Sequence, residues 1–137
     1  MGKNMNYYIS KDSTKIPVSQ LAELLHKTYW AENRSVEAME QSVRHSLCYG
    51  AYDPEDGKLI GFARVITDYA TTYYLCDVVV EEAHRGKGIG KALLTEIVTD
   101  PRLCGLKALL LTRDAHGFYQ RFGFREEPGR LMMKSNL

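Results

Sequence analysis

Apolar positions along the chain switch between a period near two and a period near 3.6, and the switches divide it into alternating strands and helices. A short run, YYI within Asn6 to Ser10, fits an opening strand. From Val18 the residues Leu21, Leu24, Leu25 and Thr28 fall on one helical face, with Pro17 acceptable at the start. Ser35 is placed to cap a second helix whose apolar side is Val36, Met39, Val43 and Leu47. Leu47 to Tyr52 and Leu59 to about Thr67 read as two strands joined by DPEDGK, whose Asp, Pro and Gly are turn formers. A third long strand, Thr72 to Val80, ends on the β-branched run Val78, Val79 and Val80. An amphipathic helix carrying Ile89, Leu93, Leu94, Ile97 and Val98 follows and should stop near Asp100 and Pro101. Lys107 to Thr112 reads as another buried strand. Asp114 is then a cap for a short helix bearing Phe118, Tyr119 and Phe122, with Gly123 left-handed at its end and Phe124 packing back. Arg130 to Lys134 closes the series as a terminal strand. This interleaving, without repeats or a linker, predicts an α/β or α+β fold around a mixed sheet.

Composition narrows the class. A chain of 137 residues suits one domain, 1–137, and 45% hydrophobic with 26% charged residues is the balance of an ordinary globular protein. The first ten residues lack the apolar length of a leader or a membrane span, so a cytoplasmic location is expected, with no membrane partner. A net charge of +1 does not suit a nucleic-acid-binding domain, and any basic function must be local. Cys48, Cys76 and Cys104 are isolated and odd in number, which argues against a disulfide framework. The histidines give no recognisable zinc spacing, so no metal is expected.

The local basic function falls between the third long strand and its helix. Gly86, Gly88 and Gly90 alternate there with Arg85, Lys87, Ile89 and Lys91. Cations at a helix N-terminus oppose the macrodipole, so an anion is expected to join them, held by backbone amides that glycines leave accessible. Two common phosphate loops fail on named residues. A dinucleotide loop needs a third glycine where Lys91 or Leu93 stands, and a GxxxxGK[ST] loop needs glycine at Arg85 and Ser or Thr at Ala92.

The spacing Arg85, Gly88, Gly90 directly after an apolar strand resembles the CoA-binding motif [RQ]xxGx[GA] of the GCN5-related N-acetyltransferase (GNAT) family. DAHGFYQRFGF is similar to the family's second signature, a short helix with a tyrosine followed by a GF pair. The likeness extends over nearly the whole chain, although the N-terminal third shares only the layout. It implies a mixed, mostly antiparallel twisted sheet of about six to seven strands flanked by about four helices, with a splay between the two central parallel strands. It also implies acetyl-CoA as co-substrate, its pantetheine arm paired to the backbone of Val78, Val79 and Val80 and its pyrophosphate held by Arg85, Gly86, Lys87, Gly88, Ile89, Gly90 and Lys91.

The implied activity is acetyl transfer from acetyl-CoA to a primary amine by direct attack in a ternary complex. Tyr119 takes the signature position as acid for the leaving thiolate, and Asp77, which breaks an apolar strand, is the candidate base or acceptor-binding acid. In this family the acceptor pocket lies beside the first two helices and the hairpin, which brings in Tyr29, Trp30, Arg34, Tyr69, Tyr73 and Tyr74. If Trp30 and Arg34 are one helical turn apart, an indole and a cation would share a pocket for an aromatic or carboxylate-bearing amine. The acceptor class stays open between small molecules and peptides, and exposed strand edges leave room for a homodimer. The rival reading from another class is a non-catalytic acyl-CoA-binding or sensing module.

Overall fold

A computed structural model describes residues 6–135. Its sheet runs β1 (Tyr8–Ser10), β2 (Leu47–Tyr52), β3 (Leu59–Thr67), β4 (Thr72–Val80) and β5 (Lys107–Leu110), neighbours in chain order being neighbours in space. The first three pairings are antiparallel and β4 with β5 is parallel. Helices α1 (Val18–Leu25) and α2 (Val36–Arg44) precede the long hairpin, α3 (Ile89–Val98) crosses from β4 to β5, and α4 (His116–Gln120) follows β5.

Two apolar layers fix these elements. Leu21, Leu24 and Leu25 of α1 and Met39 and Val43 of α2 pack with Cys48, Phe62 and Val79 on one sheet face. Leu93, Leu94 and Ile97 of α3 pack with Tyr49, Ala63, Leu75 and Tyr73 on the other. Burial on both faces explains why β2 and β3 read as near-continuous apolar runs, not as an alternation. Gly61 lets α3 approach: a Cβ there would stand 2.8 Å from Ile89 Cγ2 and 3.3 Å from Ala51 Cβ.

The expected caps are mostly realised. Ser35 Oγ accepts from Ala38 N at 3.1 Å, opening α2, and the carbonyl of Pro17 accepts from Gln20 N and Leu21 N. At the end of α4, Gly123 has φ 92°, its N–H donates to Gln120 O, and Phe124 N donates to Tyr119 O, a Schellman closure. Asp114 is not the cap of α4. Ala115 holds that position, its N–H bonded to Thr112 Oγ1.

The sheet is smaller than expected, with five strands among the described residues in place of six to seven. The terminal strand foreseen over Arg130 to Lys134 does not form. Pro128 has no N–H to offer a ladder, Gly129 turns the chain at φ 75°, and Leu131, Met132 and Met133 stand 64%, 96% and 66% exposed, so no buried face fixes them as a strand. β5 is also shorter than foreseen, ending at Leu110.

The feature that positions the site is a bulge. Phe62 pairs with Val79 and Arg64 with Cys76, so Ala63 faces two residues, Asp77 and Val78. Asp77 is the extra one, in the left-handed region at φ 55°, where Asp is tolerated better than most non-glycine residues. The insertion changes which side chains face which layer. Tyr73 and Leu75 lie on the α3 face, whereas Asp77 and Val79 face α1 and α2.

Candidate active site

Pairing between β4 and β5 covers only Thr72 to Leu75 on β4. From Cys76 onward that edge of β4 has no strand beside it among the described residues, so the two parallel strands part at the bulge and leave Val78 to Val80 open to one side. Just beyond, Gly88 opens α3 as its N-cap at φ 83°, and Gly86 is likewise left-handed at φ 82°. Among the described residues the amides of residues 86–91 donate no hydrogen bond, the first turn of the helix beginning with Ala92 N to Gly88 O. Lys87 and Lys91 are exposed beside them. Arg85 instead folds back, its Nε donating to Val80 O at 3.3 Å, which ties the loop to the strand end. Ile89 is buried under the sheet and anchors the helix start. A Cβ on Gly90 would make ordinary contacts with Phe118 at 3.5 Å and Val80 at 3.9 Å. The strand edge, the free amides and the two lysines thus form one continuous surface suited to an extended chain ending in an anion.

Across the splay stands α4. Tyr119 is half-buried, its ring edge-on to Phe118 at 5.0 Å and to Phe124 at 6.0 Å. Burial first, then Tyr29 and Asp114, raise its phenol to about 12. It therefore keeps its proton at any physiological pH. Transfer of that proton to a free thiolate, whose acid has a reference pKa near 8.5, runs uphill by roughly three to four powers of ten. Tyr119 is therefore suited to donate a hydrogen bond to sulfur as charge develops, not to be fully ionised. It lines a cavity of about 650 Å³ together with Tyr74, Leu109, Leu111, His116 and the segment from Phe124 to Met133.

Asp77 sits on the α1 and α2 side and is 5% exposed. Trp30 Nε1 donates to its Oδ1 at 2.9 Å, while Arg34 Nη1 at 2.6 Å and Arg64 Nε at 2.9 Å donate to its Oδ2. Burial pushes this carboxyl up, but the hydrogen bond from Arg34 and the charges of Arg64 and Arg34 outweigh it, leaving the pKa below the usual Asp value. An acid held ionised with both oxygens engaged is a poor proton acceptor. Its geometry is that of a clamp on two guanidiniums and an indole.

Trp30 and Arg34 are brought together, though not by a helix: the chain between them is a series of turns, with Arg34 N bonded to Ala31 O. Tyr29 lies edge-on to Trp30 at 5.1 Å, and Arg113 stacks on the Tyr29 ring at 3.7 Å. Tyr74 joins the group, its phenol raised by burial, then by Cys76 and Asp77, and lowered by Arg64 and Arg34. Tyr73 does not: it is 5% exposed in the layer beneath α3. Tyr69, 56% exposed in the β3–β4 turn, lies outside the group as well. Arg64 and Arg113 are functional candidates that the sequence reading did not name. Arg64 had a signal, being a charge inside the apolar run FARVI.

Comparison with known proteins agrees with this geometry. The family described as Acetyltransferase (GNAT) matches residues 16–124. A crystal structure assigned to the GNAT family from Xanthomonas campestris pv. campestris superposes with a TM-score of 0.89 at 38% identity, covering 96% of this chain and 94% of that one. A histone acetyltransferase of Glycine max is 32% identical over 114 residues, 82% of this chain and 46% of its own length, so the chain spans about half of that relative. An aminoglycoside 6'-N-acetyltransferase complexed with coenzyme A is similar at 28% identity and a TM-score of 0.58, over 68% of this chain and 54% of that one. With the glycine loop, the splayed strands and the α4 tyrosine all in place, the chain belongs to the acetyltransferase (GNAT) family.

Proposed function

We propose that this protein transfers an acetyl group from acetyl-CoA to a primary amine by direct attack within a ternary complex. The observation that carries the donor side is the unpaired edge of β4 after Leu75, continuous with the free amides of residues 86–91. Backbone groups of Val78, Val79 and Val80 would hold the pantetheine arm, and the loop from Arg85 to Lys91 the pyrophosphate. Among the described residues no group of three or more His, Cys, Asp or Glu side chains is arranged to hold a metal ion.

The thioester carbonyl then lies near Tyr119, with the acceptor entering from the cavity on the Tyr74 side. A neutral amine attacks the carbonyl carbon and forms the C–N bond. The C–S bond breaks with its electron pair on sulfur, and the ammonium proton of the adduct passes to solvent. Tyr119 donates a hydrogen bond to the departing sulfur. A covalent acetyl-enzyme on Cys48 or Cys76 is disfavoured by their burial, which raises both thiols to about 11, so neither is a thiolate at neutral pH. Asp77 positions Trp30, Arg34 and Arg64 in the acceptor wall.

Tyr119→Phe tests this reading. Acceptor-dependent thiol release should fall about a hundredfold in kcat while acetyl-CoA affinity by calorimetry stays within about twofold. Because Tyr119 keeps its proton up to about 12, the wild-type pH profile should rise with amine deprotonation and show no alkaline limb from this residue below that value. An unchanged kcat in the variant would remove Tyr119 from the mechanism.

A further inference from the structure

The acceptor wall holds more positive than negative charge, and the surplus has a direction. Arg34 and Arg64 share the single carboxylate of Asp77. The two guanidinium side chains are 25% and 12% exposed and Asp77 only 2%, so one positive charge is left over in a largely desolvated cluster. Burying an uncompensated charge is costly, which favours an anion arriving from outside.

The hydrogen bonds show which edge is open. Arg64 uses Nε on Asp77 and Nη1 on Ser46 Oγ at 3.1 Å. Arg34 uses only Nη1. Its Nε and Nη2, the parallel pair that matches two carboxylate oxygens, have no protein partner among the described residues. Arg113, stacked on Tyr29 beside Trp30, adds a cation at the rim, and Asp114 follows it in the chain. The acids of the adjoining cavity are already engaged, Glu127 with Arg125 and Arg130, and Glu126 3.4 Å from His116.

Resting on the acetyltransferase reading above, the geometry points to an acceptor that carries a carboxylate as well as its amine, the carboxylate seated on the Nε and Nη2 edge of Arg34 and the amine directed along Tyr74 toward Tyr119. Amino acids of suitable reach are the substrate class. Polyamines, which would place a second cation against this cluster, are excluded by the same charge.

The test compares ω-amino acids of increasing chain length, and 4-(aminomethyl)benzoate, with the alkylamines and benzylamine of equal length, in thiol release by the full chain. The carboxylated member of at least one pair should be favoured by about tenfold or more in kcat/KM. Arg34→Gln should erase that preference, read as the carboxylated-to-uncharged ratio of kcat/KM falling to about one. Arg34→Lys, which keeps the charge but not the fork, should lose most of it and covers the case in which the Gln variant fails to fold. Binding is read separately through Trp30, the chain's single tryptophan, which is bonded to Asp77. N-acetylated ω-amino acids should change its fluorescence saturably in wild type and not in Arg34→Gln. Preference for the uncharged amines, or a preference that survives both Arg34 variants, overturns the carboxylate assignment and leaves acetyl transfer intact. Carboxylate-dependent quenching without thiol release from any amine sinks the acetyltransferase reading and keeps the Arg34 site.

Discussion

At the scale of single residues, the glycine loop separates two requirements that its spacing alone runs together. Gly88 needs its left-handed φ of 83° but has nothing within 4 Å of a built Cβ, whereas Gly90 lies at ordinary contact distance from Phe118 and Val80. Gly88→Ala should therefore cost about 1–3 kcal/mol of local strain and weaken acetyl-CoA binding, while Gly90→Ala should bind nearly as wild type. Calorimetric titration of the two variants with CoA decides it, and equal losses would show that backbone conformation is not what the loop supplies. Gly86 and Gly88 were legible in the sequence because their role is conformational, and conformation is local. Asp77 was legible only as an interruption. Its partners are distant in the chain, and nothing near it reveals that Trp30, Arg34 and Arg64 converge there.

At the scale of elements, the hairpin and α3 follow from patterning almost residue for residue, since Leu47–Tyr52, Leu59–Thr67 and Thr72–Val80 form as read. The assignment of side chains to faces does not follow. Strict alternation puts Tyr73 on the same face as Asp77, and the extra residue at the bulge reverses this, bringing in Tyr74 and moving Tyr73 into the α3 layer. A period-two pattern carries no mark of where one residue is added. The closeness of α3 to the sheet gives an element-level prediction. Gly61→Ala pushes on the buried, β-branched Ile89 at the helix start, so it should lower stability by about 1–3 kcal/mol in urea melts and weaken CoA binding together with it. Lost stability with unaltered affinity would mean that the loop rides independently of the helix.

At the scale of the whole molecule, one buried carboxylate ties the lower end of the sheet together. Asp100 is 1% exposed, accepts two hydrogen bonds from the Arg102 side chain and one from Tyr49 OH at 2.7 Å, and lies 3.9 Å from Lys11. It thereby joins the end of α3, the middle of β2 and the segment after β1. The Arg102 hydrogen bonds, opposed by burial and aided by Tyr49, hold its carboxyl far below the usual range. A folded-state pKa below the unfolded one gives stability that is present above the unfolded value, near 4, and is lost as pH falls below it. Asp100→Asn should lower neutral stability by about 2 kcal/mol and flatten the acid side of the stability profile, measured by urea denaturation across that range. A variant with the wild-type acid slope would assign that slope to other carboxylates. The missing terminal strand belongs to this scale too, because whether Arg130 to Lys134 pairs depends on what burial it finds, which no local pattern records.

The parting of β4 from β5 is also a vacancy in a sheet. An edge that offers its N–H and C=O groups to a pantetheine arm offers them equally to any extended peptide, including another copy of itself. Under the acetyl-CoA reading the donor completes the sheet as its missing strand, so the chain without donor should self-associate more readily than the chain with it, a difference that sizing chromatography with and without CoA reads.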